Sequence, residues 1–417
     1  MNKYRNTAAI LMLIGLGVAC SDKSLEQPPG ASDNDAFQKD LQTRLITAKP
    51  GDVITIPAGT HSINRGLSLN VSGVTIKGEG MDKSVLSFKG QIQGAEGLLV
   101  SASDFTISDL AIEDTRGDAL KINEGSNIVI RRVRTEWTNG PAEENGAYGI
   151  YPVQTENVLL EDCVAIGASD AGIYVGQSRN VIVRNNRAEF NVAGIEIENT
   201  IGADVYGNVA TNNTGGILVF NMPDLPQEGH SSRIFDNKVL ANNTENFGAA
   251  GTPVSSVPAG SGIVINANDR VEIFANEIAD NDTANVIISS YFSTGFDSSI
   301  AVADNYDPYP ETIFIYNNRF SGGGSAPDGL DLKALKVAMF GLGGSLPDIL
   351  WDGYVNAEKV DENGNLRSEY AICVDNGDVQ ILNADLANGS DNISTDGAAY
   401  RCTHEKLLPV ALPTKGS

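Results

Sequence analysis

The sequence predicts an all-β protein, a right-handed parallel β-helix built as one solenoid with an N-terminal helical cap and a C-terminal cap segment. Three observations carry this. The words Gly149-Ile150-Tyr151-Pro152, Gly172-Ile173-Tyr174-Val175, Gly194-Ile195-Glu196-Ile197 and Gly216-Ile217-Leu218-Val219 recur at steps of 23, 22 and 22 residues. A second pattern, Asn157-Val158-Leu159-Leu160, Asn180-Val181-Ile182-Val183 and the degenerate Gly202-Ala203-Asp204-Val205, runs in phase with the first. Six residues after Asn180 comes Asn186, and Asn208, Asn237, Asn276 and Asn318 hold the matching place in later repeats although loops of different length intervene.

A repeat this short holds about three strands, too few to bury an apolar face alone, so successive coils must stack to make a core. Alternation along each strand sends Val181, Val183, Ile195 and Ile197 inward and Ile182, Arg184, Glu196 and Glu198 outward. The asparagine column is a ladder of side-chain amides at a corner, where they bond up and down the stack and tolerate the turn backbone. Cys163 takes the same column one coil earlier.

Taken in order, residues 1–19 read as a signal peptide, with Lys3 and Arg5 before the short apolar run Ala8 to Val18. Gly17-Val18-Ala19-Cys20 resembles a bacterial lipobox, which implies lipidation at Cys20; secretory cleavage nearby is the alternative. Ser21 rather than Asp follows Cys20, and by the usual sorting rule that implies an outer-membrane address in the cell envelope. Residues 20–33, with Pro28-Pro29-Gly30, read as a tether. Residues 34–322 form the β-helix and its N-cap: Phe37, Leu41 and Leu45 mark an amphipathic helix stopped by Pro50-Gly51, positioned to cover the first open edge. The excursion between Gly216 and Gly262 includes Met222 to His230 and Phe247 to Gly260, long loops of the kind that carry binding sites on a rigid solenoid. Beyond Gly322-Gly323-Gly324 the repeat fades, leaving residues 323–417 as a cap region with a helix over Leu330 to Phe340.

Two resemblances add to this reading. The stretch Ala48-Lys49-Pro50-Gly51-Asp52-Val53-Ile54-Thr55-Ile56-Pro57-Ala58-Gly59-Thr60 resembles the entry coil of the pectate-lyase-like superfamily, which includes alginate lyases and epimerases. The region from Ala119 to Asn318 is similar to bacterial lipoproteins known as parallel β-helix repeat proteins, through Gly149 to Pro152, Ser169 to Ser178 and Asn191 to Asn199. That resemblance implies a fold and an envelope location, not a reaction.

Composition narrows the partners. With 53 acidic against 29 basic residues, a net charge of −24, the surface offers no clustered Lys/Arg for nucleic acid. The membrane is reached only through the N-terminal lipid. With Cys20 lipidated and Cys163 in the ladder, Cys373 and Cys402 remain, and in an oxidising compartment a disulfide between them is expected. His61, His230 and His404 lie in separate regions and support neither a triad nor a zinc cluster.

Candidate site residues come from one outward column, in which Lys121, Tyr151, Tyr174, Glu196, Leu218 and Val264 follow each other coil by coil. Tyr148, Asp170 and Gln177 flank it, and Glu198 lies beside Glu196. Rings next to carboxylates suit a glycan groove, since rings stack on sugar faces and carboxylates bind hydroxyls or a cation. Glu196, Glu198 and Asn199 form the candidate metal set, with Ca²⁺ as the ion. Lys121 sits three coils from Glu196, about 14 Å by the strand spacing, too far for both to serve one sugar ring. Asp307-Pro308-Tyr309-Pro310-Glu311 reads as a loop before the last regular coil. The functional expectation is a protein that binds or modifies carbohydrate, with an acidic polysaccharide lyase or epimerase as the enzyme class. A non-catalytic scaffold for a periplasmic partner is the alternative.

Overall fold

The structure, a computed structural model, describes residues 31–295 and 306–413. The signal peptide, Cys20 and the tether lie outside the described residues. Within them the strands form two sheets, of 19 and 11 strands, and every pairing between named strands is parallel. The chain runs as a right-handed β-helix, each coil adding one strand to the smaller sheet and two short strands, joined at a corner, to the larger one.

The core is the inward files of these strands. Ile150, Ile173, Ile195, Ile217, Ile263 and Val286 lie in one continuous register, all fully buried. On the opposite wall Val181, Ala203, Ser232, Val271 and Ile313 do the same. Outside the larger sheet Tyr206, Phe235, Phe274 and Tyr316 stack ring on ring at 4.7, 4.9 and 4.9 Å, the spacing of the coils themselves.

Corners are the costly part of such a fold, because strand pairing stops there while the backbone stays buried. The chain solves this with a left-handed residue followed by an inward polar one. Asn185, Gly207, Asp236, Ala275 and Asn317 all have φ between 53° and 65°, and each precedes a ladder asparagine. The Asn186 backbone N–H and its Nδ2 both donate to Asn208 Oδ1, at 2.9 Å each, while Nδ2 also donates to the Leu160 carbonyl of the preceding coil. The same connections pass from Asn208 to Asn237, Asn276 and Asn318. Cys163 starts the column, its N–H donating to Asn186 Oδ1. A second ladder, which the sequence reading did not separate, stands five residues further on: Asn191, Asn213, Asn242 and Asn281 repeat the geometry at the next corner. At the third corner Thr155, Ser178 and Thr200 form a hydroxyl column.

The entry end is closed by the helix Ala31–Thr47, whose Leu41 and Leu45 are buried against the first coils and whose Gln38 exchanges hydrogen bonds with Asn64. At the far end the solenoid does not stop at Gly322, where the repeat fades. The strand Ile349–Trp351 pairs with Ala284–Ser289, Ile372–Asp375 pairs with Glu311–Tyr316, and Ile381–Asn383 pairs with Ile349–Trp351. These strands are three or four residues long, too short to show periodicity, yet Asn376 still extends the first ladder by accepting from the Asn318 N–H. A disulfide joins Cys373 to Cys402, with Cα atoms 4.8 Å apart. The tail beyond it runs back along the outside of the larger sheet, where the Leu407 and Val410 N–H groups donate to Glu272 and Asp204.

Replacing Asn208 by Leu leaves the Val183 carbonyl and the Asn186 N–H without partners inside the solenoid. A buried unsatisfied group costs about 1–3 kcal/mol, so Asn208→Leu is expected to lower unfolding free energy by roughly 3 kcal/mol in a urea titration. A midpoint equal to wild type would remove the ladder from the account of stability.

Candidate functional site

The smaller sheet presents the predicted outward column to one flank of the solenoid. Lys121 pairs in register with Tyr151, Tyr174 with Glu196, Glu196 with Leu218, and Leu218 with Val264. Lys121 and Glu196 are therefore three strands apart. The Lys121 ammonium sits 4.6 Å from the Tyr151 ring centre and pairs with Asp118 at 3.6 Å.

Three rings close over the column. Tyr148 lies 4.4 Å from Tyr151 and 4.6 Å from Tyr174, and Tyr151 meets Tyr174 edge-on at 4.8 Å. The Tyr174 ring folds along its own strand, across Gly176, where a Cβ would fall 2.3 Å from a ring carbon. Only glycine leaves that space, and it carries the phenol to the next coil: Tyr174 Oη donates to Glu198 Oε1 at 2.5 Å. Gln177 Nε2 donates to both atoms, at 3.1 and 3.2 Å. The Tyr148 hydroxyl faces Asp170 and favours its charged form.

The carboxyls are not a solvated surface. Glu196 and Glu198 are 1% and 8% exposed, although both point away from the solenoid core. The excursion after Phe220 explains this, since Val254 and Val257 pack on Leu218, Phe220 and Val264 and join Tyr174 in one apolar cluster. The segment 222–229 is pinned beside it, with Gln227 Nε2 donating to the Ser178 and Asn199 carbonyls and the Gly229 N–H donating to Asn221. Asn199, grouped by sequence with the two glutamates, is turned to this loop instead. Its Nδ2 donates to the Met222 and Gln227 carbonyls and its Oδ1 accepts from the Met222 N–H. The reason is local: Asn199 is a corner residue with φ 45°, which swings its side chain out of line with Glu198.

Burial sets the electrostatics. It pushes the Asp170 carboxyl up to about 7, helped by the Glu198 charge and opposed by the Tyr148 hydroxyl. Glu198 is likewise raised by burial to about 7, against the pull of the Tyr174 hydroxyl. Glu196 is raised well above the carboxylate range by burial and by Asp170 and Glu198, and its Oε2 has no hydrogen-bond partner. Burial also raises all three tyrosines. Carboxyls that titrate near neutrality beside phenols can accept and return a proton at physiological pH, the requirement for general acid–base work.

A second acidic group was missed as a site, because Asp269 lies far in sequence from Asp307 and Glu311, which read only as a loop. One carboxylate oxygen from each of Asp269, Asp307 and Glu311 lies within 4.8 Å of the others. Lys359 reaches in from the C-terminal region and pairs with Asp307 and Glu311 at 2.6 Å each. Residues 307–310 are loop, as expected, while Glu311 opens the strand Glu311–Tyr316 directly above Asp269. The lysine already supplies a positive charge to this group.

In the folded state Asp170 and Glu198 keep protons up to about pH 7, whereas carboxyls of an unfolded chain release them near pH 4. Between those limits the native state binds more protons, so these groups reduce stability as pH rises from about 4 to about 7, by at most about 1.4 kcal/mol per unit for each. Asp170→Asn/Glu198→Gln is expected to melt above wild type at pH 8 and level with it near pH 4. A gap that is the same at both pH values would refute the raised titration.

No curated protein matches the chain at a significant level. A family model described as "Right handed beta helix region" matches residues 66–226. Among solved structures, the mannuronan C-5 epimerase AlgE4 A-module of Azotobacter vinelandii aligns with a TM-score of 0.50 at 17% identity, covering 82% of this chain and 90% of its own. The AlgE6 A-module of the same organism gives 0.48 at 16%, covering 82% and 89%. A mannuronic acid specific polysaccharide family 6 lyase from human gut microbiota gives 0.44 at 14%, covering 77% and 78%. Likeness at these identities is likeness of fold. With the family model matching part of the solenoid and the parallel pairing of both sheets, this chain has the right-handed parallel β-helix fold.

Proposed function

We propose that this protein binds carbohydrate across Tyr148, Tyr151 and Tyr174 and modifies it with Asp170 and Glu198. The observation that carries the reading is the pairing of three contiguous rings with two buried carboxyls raised to about 7, Glu198 bonded to the Tyr174 phenol and Asp170 beside Tyr148, on one face of a rigid sheet. Rings hold a sugar face, and a carboxyl near its titration point moves the proton that bond cleavage or inversion needs. An acidic polysaccharide is the substrate class we favour, its carboxylate meeting Lys121 at the mouth of the cluster. The names of the structurally similar epimerase modules and lyase, which act on mannuronan or mannuronic acid, are consistent with that choice.

Calcium is the candidate cation. The orphaned Glu196 Oε2 needs either a proton or a positive charge, and a bound Ca²⁺ would supply the latter through Glu196 and Glu198, in which case Asp170 alone would move the proton. The competing reading is a non-catalytic scaffold that uses the Tyr151/Tyr174 face or the long loops to hold a periplasmic protein. The burial of Glu196 favours it, since a side chain 1% exposed touches no ligand without movement of the covering loop.

A glycan array followed by assays on uronate polymers separates these. Tyr151→Ala is expected to weaken glycan binding about tenfold, and Asp170→Asn to abolish turnover while leaving binding. Absence of any glycan signal for the wild type would leave the scaffold reading. Calcium calorimetry on Glu196→Gln/Glu198→Gln is expected to show lost binding; retained binding moves the ion to Asp269, Asp307 and Glu311. We further propose attachment to the cell envelope, at the outer membrane, through lipid on Cys20. Cys20→Ala is expected to release the protein into the soluble fraction, and a variant that still sediments with membranes would exclude lipid as the anchor.

A further inference from the structure

Farther along the same sheet face the outward column turns apolar and stays so. Val264, Ile287, Leu350 and Leu382 follow in register, with no acidic residue among them. An apolar sheet face is ordinarily sealed by what packs on it. Here the covering element is the helix Leu330–Phe340, and it does not seal the face: none of its residues is buried. Leu332 and Leu335 rest on the sheet side, and between them and the column lies a cavity of about 210 Å³. The helix is bracketed by Gly329 and Gly341, at φ 80° and 76°, positions where a side chain would meet nothing within 4 Å. Its outward side carries Leu330, 84% exposed, and Val337 beside the exposed Asp331 and Lys333. Such a helix lies over the cavity as a cover and is not part of the core.

Among the polar groups in the lining, which include Ser289, Ser293 and Asp352, Asn266 is the one that indicates an occupant. Asn266 is 2% exposed, its Oδ1 is fixed by the Ser289 hydroxyl at 3.0 Å, and its Nδ2 is buried without any hydrogen-bond partner. A buried donor left bare is a loss that a ligand oxygen would repair. Asp352, also in the wall, is already satisfied by Ser290 and Ser293, and the lining holds no Lys or Arg to pair with an anionic head.

We propose that this cavity is a binding site for a small uncharged apolar molecule carrying one hydrogen-bond acceptor, such as a medium-chain ester or ketone. Its apolar body lies between Val264, Ile287 and Leu350 on the sheet and Leu332 and Leu335 on the helix. Its oxygen accepts from Asn266 Nδ2. A dry cavity of ~150 Å³ admits a benzene ring, so this one takes a ring or a chain of about six to eight carbons. The site is separate from the tyrosine cluster, which lies on the other side of the Val254/Val257 loop.

The test uses the whole chain, with methyl hexanoate as the probe and n-hexane as a probe of similar body without an acceptor, and dissociation constants from ligand-observed NMR. Wild type is expected to bind both. Val264→Trp fills the cavity from the sheet and is expected to abolish both, and Leu335→Trp does so from the half-buried helix side, where folding is least at risk. Asn266→Leu is expected to weaken methyl hexanoate about tenfold and leave n-hexane unchanged. No binding of either probe to wild type, or undiminished binding to a normally melting Leu335→Trp variant, would overturn the site. Equal weakening of both probes by Asn266→Leu would overturn the acceptor.

Discussion

The corner hydrogen bond is the interaction on which the rest of this structure depends. A solenoid whose coils turn three times must leave backbone groups at each turn that no strand can pair, and they face inward where water is absent. An asparagine amide is long enough to accept from an N–H and donate to a carbonyl of the coil before its own, while its Nδ2 also reaches the asparagine of the next coil. Two files of them, from Asn186 and from Asn191, join neighbouring coils at two of the three corners. The stacking of Ile and Val files inside follows from the register these files hold.

That rigidity explains why chemistry is concentrated on one flank. The strands of the smaller sheet are fixed to a coil spacing, so rings from successive coils touch without any loop having to position them. The loops contribute coverage instead. Val254 and Val257 remove water from the acidic part of the column, and that burial, more than any neighbouring charge, raises Asp170 and Glu198 into the neutral range. Along the same face, the helix after Gly329 covers an apolar stretch loosely and leaves a cavity. One sheet thus carries two environments, and the covering segments decide which is which.

The sequence by itself determined the coil, its register and its corners. A side-chain period of two and a repeat of about 22 residues allow only one assignment of inside and outside, which placed Ile173 and Ile195 in the core and Tyr174 and Glu196 together outside. The first asparagine file was legible for the same reason, and the second could have been, since Asn213 follows Asn208, and Asn242 follows Asn237, by the same five residues. Only the tertiary structure decided burial and long-range partners. Whether Glu196 met water depended on where a loop more than 50 residues away folded, Lys359 joined Asp307 across an equal distance, and Asn199 answered to Met222 and Gln227 instead of to Glu198. Periodicity is a property of neighbours along the chain and across one coil. Coverage is a property of irregular segments, and these carry no period from which their resting place could be read.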